Sequence, residues 1–295
     1  MWIFYGLLAG VLLGFYDFWT KKAMNGNDVI PIVFWSSLFG ALAWLPAFLP
    51  SSENFEFYID WSKTNTYQQI IILIKGLAMT SSWLFAYYSV KELPMSFSGA
   101  VRASGPLWTL AGGAILFGEH LSTLQFSAVM ISIMAYCALS QIGKNEGILM
   151  IRSLPVFLML AATILSGMTT VYDKFIVQNI GVPIYNVQAY SAFHRFFISF
   201  VIFMFFSWKE QRILPLQWSI YIPLVGLSWV GAELIYFFAI SDPIANVTYL
   251  SIFRRTSLIV GFFLSIIFIG ERYLLQKSII MGIIIFSSIF LIIQR

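Results

Sequence analysis

The chain has 295 residues, of which 59% are apolar and only 10% are charged. Soluble domains contain about 25% charged residues, so this composition excludes a soluble globular class. The net charge of +4 is interpreted as a feature of membrane topology, and no pattern indicates nucleic-acid binding. The single cysteine, Cys137, excludes a disulfide within these residues, and no CxxC or histidine-rich pattern indicates a metal site.

Ten apolar runs are long enough to cross a bilayer, which takes about 20 helical residues at 1.5 Å rise each. They cover approximately residues 2–24, 30–49, 67–89, 94–117, 122–142, 155–177, 183–207, 218–240, 243–269 and 274–293. Irregular backbone cannot face lipid and no alternating strand pattern appears, so we predict an all-α integral membrane protein with ten transmembrane helices. The first run lacks a basic flank and is interpreted as a retained helix instead of a cleaved signal.

The first predicted helix carries Gly6, Gly10, Gly14, Asp17 and Lys21 at spacings of 4, 4, 3 and 4. These spacings put all five residues on one helix face. The glycines predict close packing against another helix. The two charged residues continue the stripe at a depth where an ionisable group costs about 2.5–3.5 kcal/mol, so both are candidate substrate-site residues.

The third predicted helix contains Trp83 and Tyr87, four residues apart. They are candidate cavity aromatics, and ordinary packing is the alternative because 18% of the chain is aromatic. Lys75 on the same helix is either a structural ion-pair partner or a substrate contact.

The fourth predicted helix places Ser98, Arg102, Gly105 and Thr109 on one face. Pro106 removes a backbone donor and predicts a bend whose freed carbonyls could line a cavity. Arg102 is the candidate substrate contact of this helix.

The sixth predicted helix has a comparable stripe of Thr163, Gly167, Thr170 and Lys174, with Asp173 beside it. Asp173 and Lys174 are candidate site residues that could also pair with charges on other helices. The seventh and eighth helices add buried ionisable candidates, each of which could equally form a structural ion pair: His194, Arg195 and Glu233.

These acids are expected to act together with the basic residues. We expect at least one of Asp17, Asp173 and Glu233 to line a cavity and either to pair with a basic side chain or to carry a transported proton, because an unpaired buried carboxylate would neutralise.

The ninth predicted helix contains SIFRRTSLIVGFF, in which Arg254 and Arg255 interrupt an apolar run. Two uncompensated arginines would cost about 5–7 kcal/mol on insertion, so partners or water must offset them. We predict that Arg254 faces a central cavity and that Arg255, about 100° away on the helix, is held in a protein ion pair. The alternative is that both arginines are structural.

The chain also repeats itself at an offset of 152 to 153 residues. The matching positions are GEH at 118–120 with GER at 270–272, Arg102 with Arg254, Pro31 with Pro183, Gly14 with Gly167 and Lys21 with Lys174. The sequence therefore predicts two five-helix halves, 1–143 and 144–295, and an odd helix number makes the second half inverted. Inverted repeats are typical of transporters, and this repeat places Arg102 opposite Arg254 across an anionic substrate group.

In length, ten spans, repeat and the Gly-Glu motifs of GEH and GER, the sequence resembles the EamA-type transporters of the drug/metabolite transporter superfamily. The segment SGAVRASGPLWTLAGGAILFGEHLSTLQ resembles the end of their first repeat. The resemblance implies a basket in which helices 1–4 and 6–9 surround a cavity while helices 5 and 10 lie outside. Glu119 and Glu271 match an acid of that family, and their positions at helix junctions favour helix-end roles over substrate contact.

The Arg254-Arg255 pair resembles the Lys-Arg pair by which related phosphate and nucleotide-sugar translocators hold an anionic group. Membrane orientation stays open, because the loop distribution of Lys and Arg favours external termini and the resemblance implies cytoplasmic ones.

The expected function is a multi-pass inner-membrane secondary transporter that moves a small organic metabolite by alternating access. The arginines favour a carboxylate or phosphate on the substrate, and the acids keep an amino acid open. No ATP-binding loop is present and no cofactor is expected, so protons or a counter-substrate are the candidate driving partners. The alternatives are an integral membrane enzyme or a channel, and a monomer and a homodimer both remain open.

Overall fold

The computed structural model describes residues 1–49, 58–59, 64–102, 104–118, 153–210 and 215–268, with scattered positions within 122–138 and 276–283. All regular structure in these residues is helical. The principal helices are α1 (Trp2–Ala23), α2 (Val29–Trp44), α3 (Thr66–Glu92), α4 (Met95–Arg102), α5 (Gly105–Phe117), α6 (Leu154–Lys174), α7 (Ile184–Glu210), α8 (Tyr221–Ile240), α9 (Val247–Phe253) and α10 (Thr256–Phe268).

Seven helical segments of the described residues are long and apolar enough to cross a membrane. The predicted all-helical membrane class is therefore confirmed. The predicted fifth and tenth spans, 122–142 and 274–293, lie largely outside the described residues, as do Glu119 and Glu271. The count of ten stays a prediction.

Helix starts follow ordinary capping chemistry. Asn65 accepts a hydrogen bond from the backbone N–H of Gln68, and the Gln68 side chain accepts one from the Asn65 backbone, which forms a capping box for α3. Asn246 caps α9 by accepting from the backbone N–H of Tyr249. Each cap satisfies a backbone donor that the first helical turn leaves unpaired.

The predicted fourth helix is interrupted beside Pro106, where the sequence predicts a bend, and the predicted ninth helix, which counts as one candidate span over Val247–Phe268, is interrupted beside its arginines. α4 ends at Arg102 and α5 begins at Gly105, with Pro106 in its first turn, where its missing N–H costs nothing. α9 ends at Phe253 and α10 begins at Thr256, whose hydroxyl lies 2.9 Å from the Phe253 carbonyl oxygen. Tight turns therefore replace regular helical bonding beside the arginines.

Glycines bring the helices close together. α1 packs against α8, α9 and α10, while α6 packs against α3, α4 and α5. A Cβ on Gly14 would lie 2.9 Å from the Ser257 carbonyl oxygen and would also clash with Val260. A Cβ on Gly167 would lie 2.7 Å from the Trp108 Cβ. The glycine stripe of the first helix thus provides the close packing that its spacing predicts.

The outer surface is apolar. Large exposed side chains on several helices include Phe4, Leu73, Ile115, Phe197, Met204 and Phe263. Exposed apolar side chains on so many helices fit a bundle solvated by lipid and not by water.

Gly10 is a position where this packing leaves no room for a side chain. A Cβ there would lie 2.7 Å from the Phe253 carbonyl oxygen and would collide with the Thr256 hydroxyl. We expect Gly10→Ala to destabilise the protein by about 1–3 kcal/mol through overpacking. Thermal unfolding of the purified protein in detergent measures the effect.

The matched control is Gly231→Ala on α8, where an added Cβ meets nothing within 4 Å. This variant should unfold at or slightly above the wild-type temperature, because alanine favours helix. Equal melting temperatures for the two variants would contradict the assigned packing.

Candidate functional site

A cavity of about 1000 Å³, which includes its mouth, lies between the helices of the bundle. Its walls come from α1, α3, α4, α6, α8 and α10. The polar and aromatic residues that line it are Tyr16, Asp17, Thr20, Ser82, Trp83, Tyr87, Ser98, Arg102, Thr163, Ser166, Trp229, Arg255, Ser257 and Phe262. A pocket that combines apolar walls with a few polar groups is typical of small-molecule sites.

One wall of the cavity is charged. The Nη1 of Arg102 donates to the Oδ1 of Asp17 at 2.5 Å, and the two side chains are 23% and 13% exposed. Arg255 brings a second guanidinium group, whose Cζ would lie 2.8 Å from a Cβ on Gly105. The guanidinium therefore packs directly against the backbone where α5 begins, and a side chain at position 105 would displace it.

Four aromatic rings line the cavity as a continuous cluster. The ring of Trp83 stacks on Tyr87 at 5.8 Å and meets Trp229 edge-on at 5.0 Å. Tyr16 lies 4.9 Å from Trp229, and its hydroxyl donates to the Tyr87 hydroxyl at 3.0 Å. This aromatic wall offers flat apolar surface with hydroxyl groups at one edge.

A buried ion network lies beyond the aromatic wall. The Nζ of Lys75 is 3.0 Å from Asp173 Oδ1 and 3.1 Å from Glu233 Oε1, and the lysine side chain is 0% exposed. Glu233 also accepts from the indole N–H of Trp229 at 2.7 Å and lies 3.4 Å from Arg195. The network joins α3, α6, α7 and α8. Two buried acids are thereby matched by two buried bases.

Arg195 connects the network to the aromatic wall. Its guanidinium lies 4.8 Å from the ring centre of Trp83 and 5.5 Å from that of Trp229, within cation–π distance. The Arg195 guanidinium thus packs against both indole rings from the side of the ion network.

Arg254, which is predicted to face a central cavity, is not among the residues that line the described one. Its guanidinium lies 4.3 Å from the ring centre of Tyr236, and its Nη1 is 3.5 Å from the Thr170 hydroxyl. Arg255 is the residue that lines the described cavity opposite Arg102. The tight turn between α9 and α10 changes the direction of both side chains relative to a continuous helix.

Comparison with known proteins shows which family the sequence matches. The model of the EamA-like transporter family matches residues 1–141. The first half of the chain is an EamA-like transporter domain. The predicted family, the EamA-like transporters of the drug/metabolite transporter type, is confirmed over these residues.

A solved crystal structure also resembles the whole chain, with a TM-score of 0.70 and 14% sequence identity over 97% of this chain and 99% of the other. At this identity the likeness shows the fold alone. No curated protein matches the sequence.

The described residues of this EamA-like protein bring together only part of the predicted site. Asp17, Trp83, Tyr87 and Arg102 line the cavity. The other predicted residues, Lys21, Asp173, Lys174, Glu233 and Arg254, are not among the residues that line it.

The two lysines bind carbonyl oxygens in the turns between helices. Lys21 donates to the carbonyl oxygens of Val90 and Leu93 at 2.5 and 2.8 Å, where α3 ends. Lys174 donates to the carbonyl oxygen of Ala245 at 2.9 Å. Ammonium groups near the end of a helix satisfy carbonyls that the last turn leaves unpaired.

Sequence reasoning did not single out the cavity residues Tyr16 and Trp229. Tyr16 precedes Asp17 and Trp229 lies one helical turn before Glu233, so each neighbours a residue that the charge pattern had identified. Arg255 was identified, and the ion pair predicted for it stays a prediction. The sequence signal that could have found Tyr16 and Trp229 is their proximity to a charge within an apolar run. Such a charge marks the helix face that lies in the protein interior.

The Lys75 network makes a testable prediction. Lys75→Met leaves two buried carboxylates with one ammonium fewer, which costs about 3–5 kcal/mol. We expect a large fall in the melting temperature in detergent, partly restored in Lys75→Met/Asp173→Asn, which removes one of the stranded charges.

The control is Lys91→Met, which breaks an ion pair with Asp28 whose side chains are 38% and 35% exposed. Exposed pairs contribute about 0–1 kcal/mol, so this variant should melt close to wild type. A Lys75→Met protein as stable as Lys91→Met would show that the network does not hold the helices together.

Proposed function

We propose that this protein is a secondary transporter that moves a small anionic organic metabolite through the described cavity by alternating access. The observation that carries the proposal is the charged wall of Asp17, Arg102 and Arg255 inside a lipid-solvated bundle. Guanidinium groups bind carboxylate and phosphate through paired donors, and their burial in a membrane protein needs a functional reason.

The cavity is one-sided, which favours a carrier over a channel. On α3 its lining residues run from Met79 to Val90, and on α6 from Met159 to Ser166. Lys75 and Asp173 lie beyond these ranges toward the opposite ends of the two helices. Access from one side combined with a closed ion network on the other is expected of one state in an alternating cycle.

Contacts in the two halves support the proposed inverted repeat, 1–143 and 144–295. Lys21 binds the carbonyl oxygen of Leu93, while Lys174, at an offset of 153, binds that of Ala245, at an offset of 152. Gly14 faces Val260, and Gly167 faces Trp108 at the same two offsets.

The contacts of the two arginines also match between the halves. The contact of Arg102 with Asp17 corresponds to the contact of Arg254 with Thr170, again at offsets of 152 and 153. Two halves with matching contacts could exchange conformations, and Arg254 would then reach a cavity on the opposite side.

Site-directed labelling tests this exchange. In a Cys137→Ser background, Thr163→Cys places a thiol in the present cavity and Thr170→Cys places one beside Arg254. We expect a membrane-impermeant thiol reagent to modify Thr163→Cys from one side of the membrane and Thr170→Cys from the other. Modification of both positions from the same side would contradict alternating access.

Transport itself is measured in liposomes. A thermal-shift screen of metabolites sorted by charge identifies a ligand, and counterflow of that radiolabelled ligand should be saturable. Arg102→Ala should abolish the counterflow. Ion conductance without counterflow would instead indicate a channel.

A further inference from the structure

The two acids of the buried ion network are held unequally. Glu233 lies 3.1 Å from the Nζ of Lys75 and 3.4 Å from Arg195, and it also accepts from the indole N–H of Trp229. For Asp173, the only basic nitrogen within ion-pair distance among the described residues is the Lys75 Nζ at 3.0 Å, and its Oδ1 atom has no hydrogen-bond partner among them. The negative charge of Asp173 therefore depends on one ammonium group that it shares with Glu233.

The other ionisable groups near Asp173 do not replace that ammonium group. Those that interact with it electrostatically include Glu233 and Tyr236 from α8, Tyr172 beside it on α6, and Arg254 from the turn between α9 and α10. α5 carries no ionisable side chain, and those of α4 and α9 are Arg102, which pairs with Asp17, and Tyr249. The Tyr236 hydroxyl donates to the carbonyl oxygen of Thr170 at 3.3 Å, and the Arg254 guanidinium lies over the Tyr236 ring. Arg254 is therefore a second cation near Asp173, outside ion-pair distance.

Opening of the closed side, the end of the bundle that holds the ion network, separates Lys75 from Asp173. These two residues join α3 to α6 beyond the cavity, and under alternating access the two helices part there. Glu233 keeps its contact with Arg195 in that event, whereas Asp173 loses its ion pair. An ionised carboxylate without a counter-charge is costly within a membrane protein, so Asp173 then takes up a proton or pairs with Arg254.

Ligand binding selects between these two outcomes. In the proposed cycle Arg254 reaches the cavity of the opposite side, where it contacts the anionic group of the ligand. An ionised Asp173 would compete with the ligand for this guanidinium and would repel the negative charge of the ligand. A protonated Asp173 does neither, so proton uptake and anion binding favour each other on this side.

We propose that Asp173 is a proton-binding site that controls the opening of the closed side, so that acidification on that side favours both opening and anion binding there. This inference rests on the proposed alternating access. The proton binds the Asp173 carboxylate when the Lys75 contact breaks, and it returns to the same side when the contact forms again. It therefore controls the cycle without crossing the membrane. One proton bound only in the open state shifts the equilibrium toward opening by at most about tenfold per pH unit of acidification.

The proposed repeat restricts this proton site to one side. At offsets of 153 and 152 residues, the counterpart of Asp173 is Thr20 and the counterpart of Lys75 is Leu227. The Thr20 hydroxyl donates to the carbonyl oxygen of Tyr16 at 2.8 Å. At these two positions the cavity side carries no ion pair, so acidification acts unequally on the two sides.

The separation of α3 and α6 on the closed side is measured with spin labels. In a Cys137→Ser background, Tyr67→Cys and Asn179→Cys place one label at the start of α3 and one just after α6, where both native side chains are exposed. Pulsed electron paramagnetic resonance in detergent gives the distance distribution between about pH 8 and about pH 5. We expect a longer distance whose population, relative to the shorter one, rises on acidification by up to about tenfold per pH unit.

Substitutions of Asp173 test the assignment. Asp173→Asn resembles the protonated acid, so at high pH it should show the distances that the wild-type protein shows at low pH, without a response to pH. Asp173→Thr, which introduces the residue of the counterpart position, should behave in the same way. Asp173→Glu should restore the pH response, because it restores the carboxylate.

The matched control is Asp28→Asn, which removes the acid of the exposed pair with Lys91. This variant should keep the wild-type pH response of the distance between α3 and α6. Melting temperatures show whether each variant is folded before its distances are compared.

Several results would overturn the inference. One is a wild-type distance distribution that is the same at high and low pH. Another is a pH response that survives in a folded Asp173→Asn or Asp173→Thr protein, since a different group would then bind the proton. Counterflow of a screened metabolite together with pH-independent distances would leave the transport proposal intact, whereas opening on acidification without counterflow of any ligand would count against transport alone.

Discussion

The shared ammonium group of Lys75 is the interaction on which the arrangement of the described helices depends. An ionised group inside a lipid-solvated bundle must find its counter-charge within the protein, because the bilayer offers none. Lys75 meets this requirement for Asp173 and Glu233 at once, and Arg195 completes the neutralisation. The four helices that supply these groups are therefore held together at one end. At their other end no comparable network joins the described helices, and there the cavity is found.

Close backbone approach is what allows the arginines to be placed beside that cavity. α1 can lie against α9 and α10 only because glycine occupies positions 10 and 14. Gly105 performs the same task for the guanidinium of Arg255. The turns that interrupt the fourth and ninth spans occur next to these contacts, as expected because irregular backbone within a bilayer must be covered by protein. Small residues at the helix contacts therefore determine both the packing of the helices and the geometry of the site.

The sequence predicted the helices well because apolar runs and their lengths are set by the bilayer, which acts on every span alike. It also identified Asp17 and Arg102, since a charge within an apolar run must face the interior. It could not rank Arg254 against Arg255, because their directions depend on a turn whose geometry no periodicity encodes. Nor could it pair Lys75 with Asp173, which lies 98 positions away in the chain and meets it only after two helices have packed.

The proposed repeat explains why one scaffold can carry two different charge arrangements. In the first half, the stripe on α1 places Asp17 and then Thr20 along one helix face. In the second half, the stripe on α6 places Thr170 and then Asp173 at the corresponding positions. The acid has therefore moved by about one helical turn. On α1 it meets Arg102 at the cavity wall, and on α6 it meets Lys75 in the closed network.

This displacement leaves Arg254 facing a hydroxyl and an aromatic ring where Arg102 faces a carboxylate. Among the described residues no carboxylate lies within ion-pair distance of Arg254, and an arginine in this situation binds an anion better than one already neutralised. If the halves exchange conformations, the two access states would then present unequal charge to the same ligand. Such inequality gives the ligand different affinities on the two sides, and a difference in affinity between states is what lets a ligand shift a conformational equilibrium.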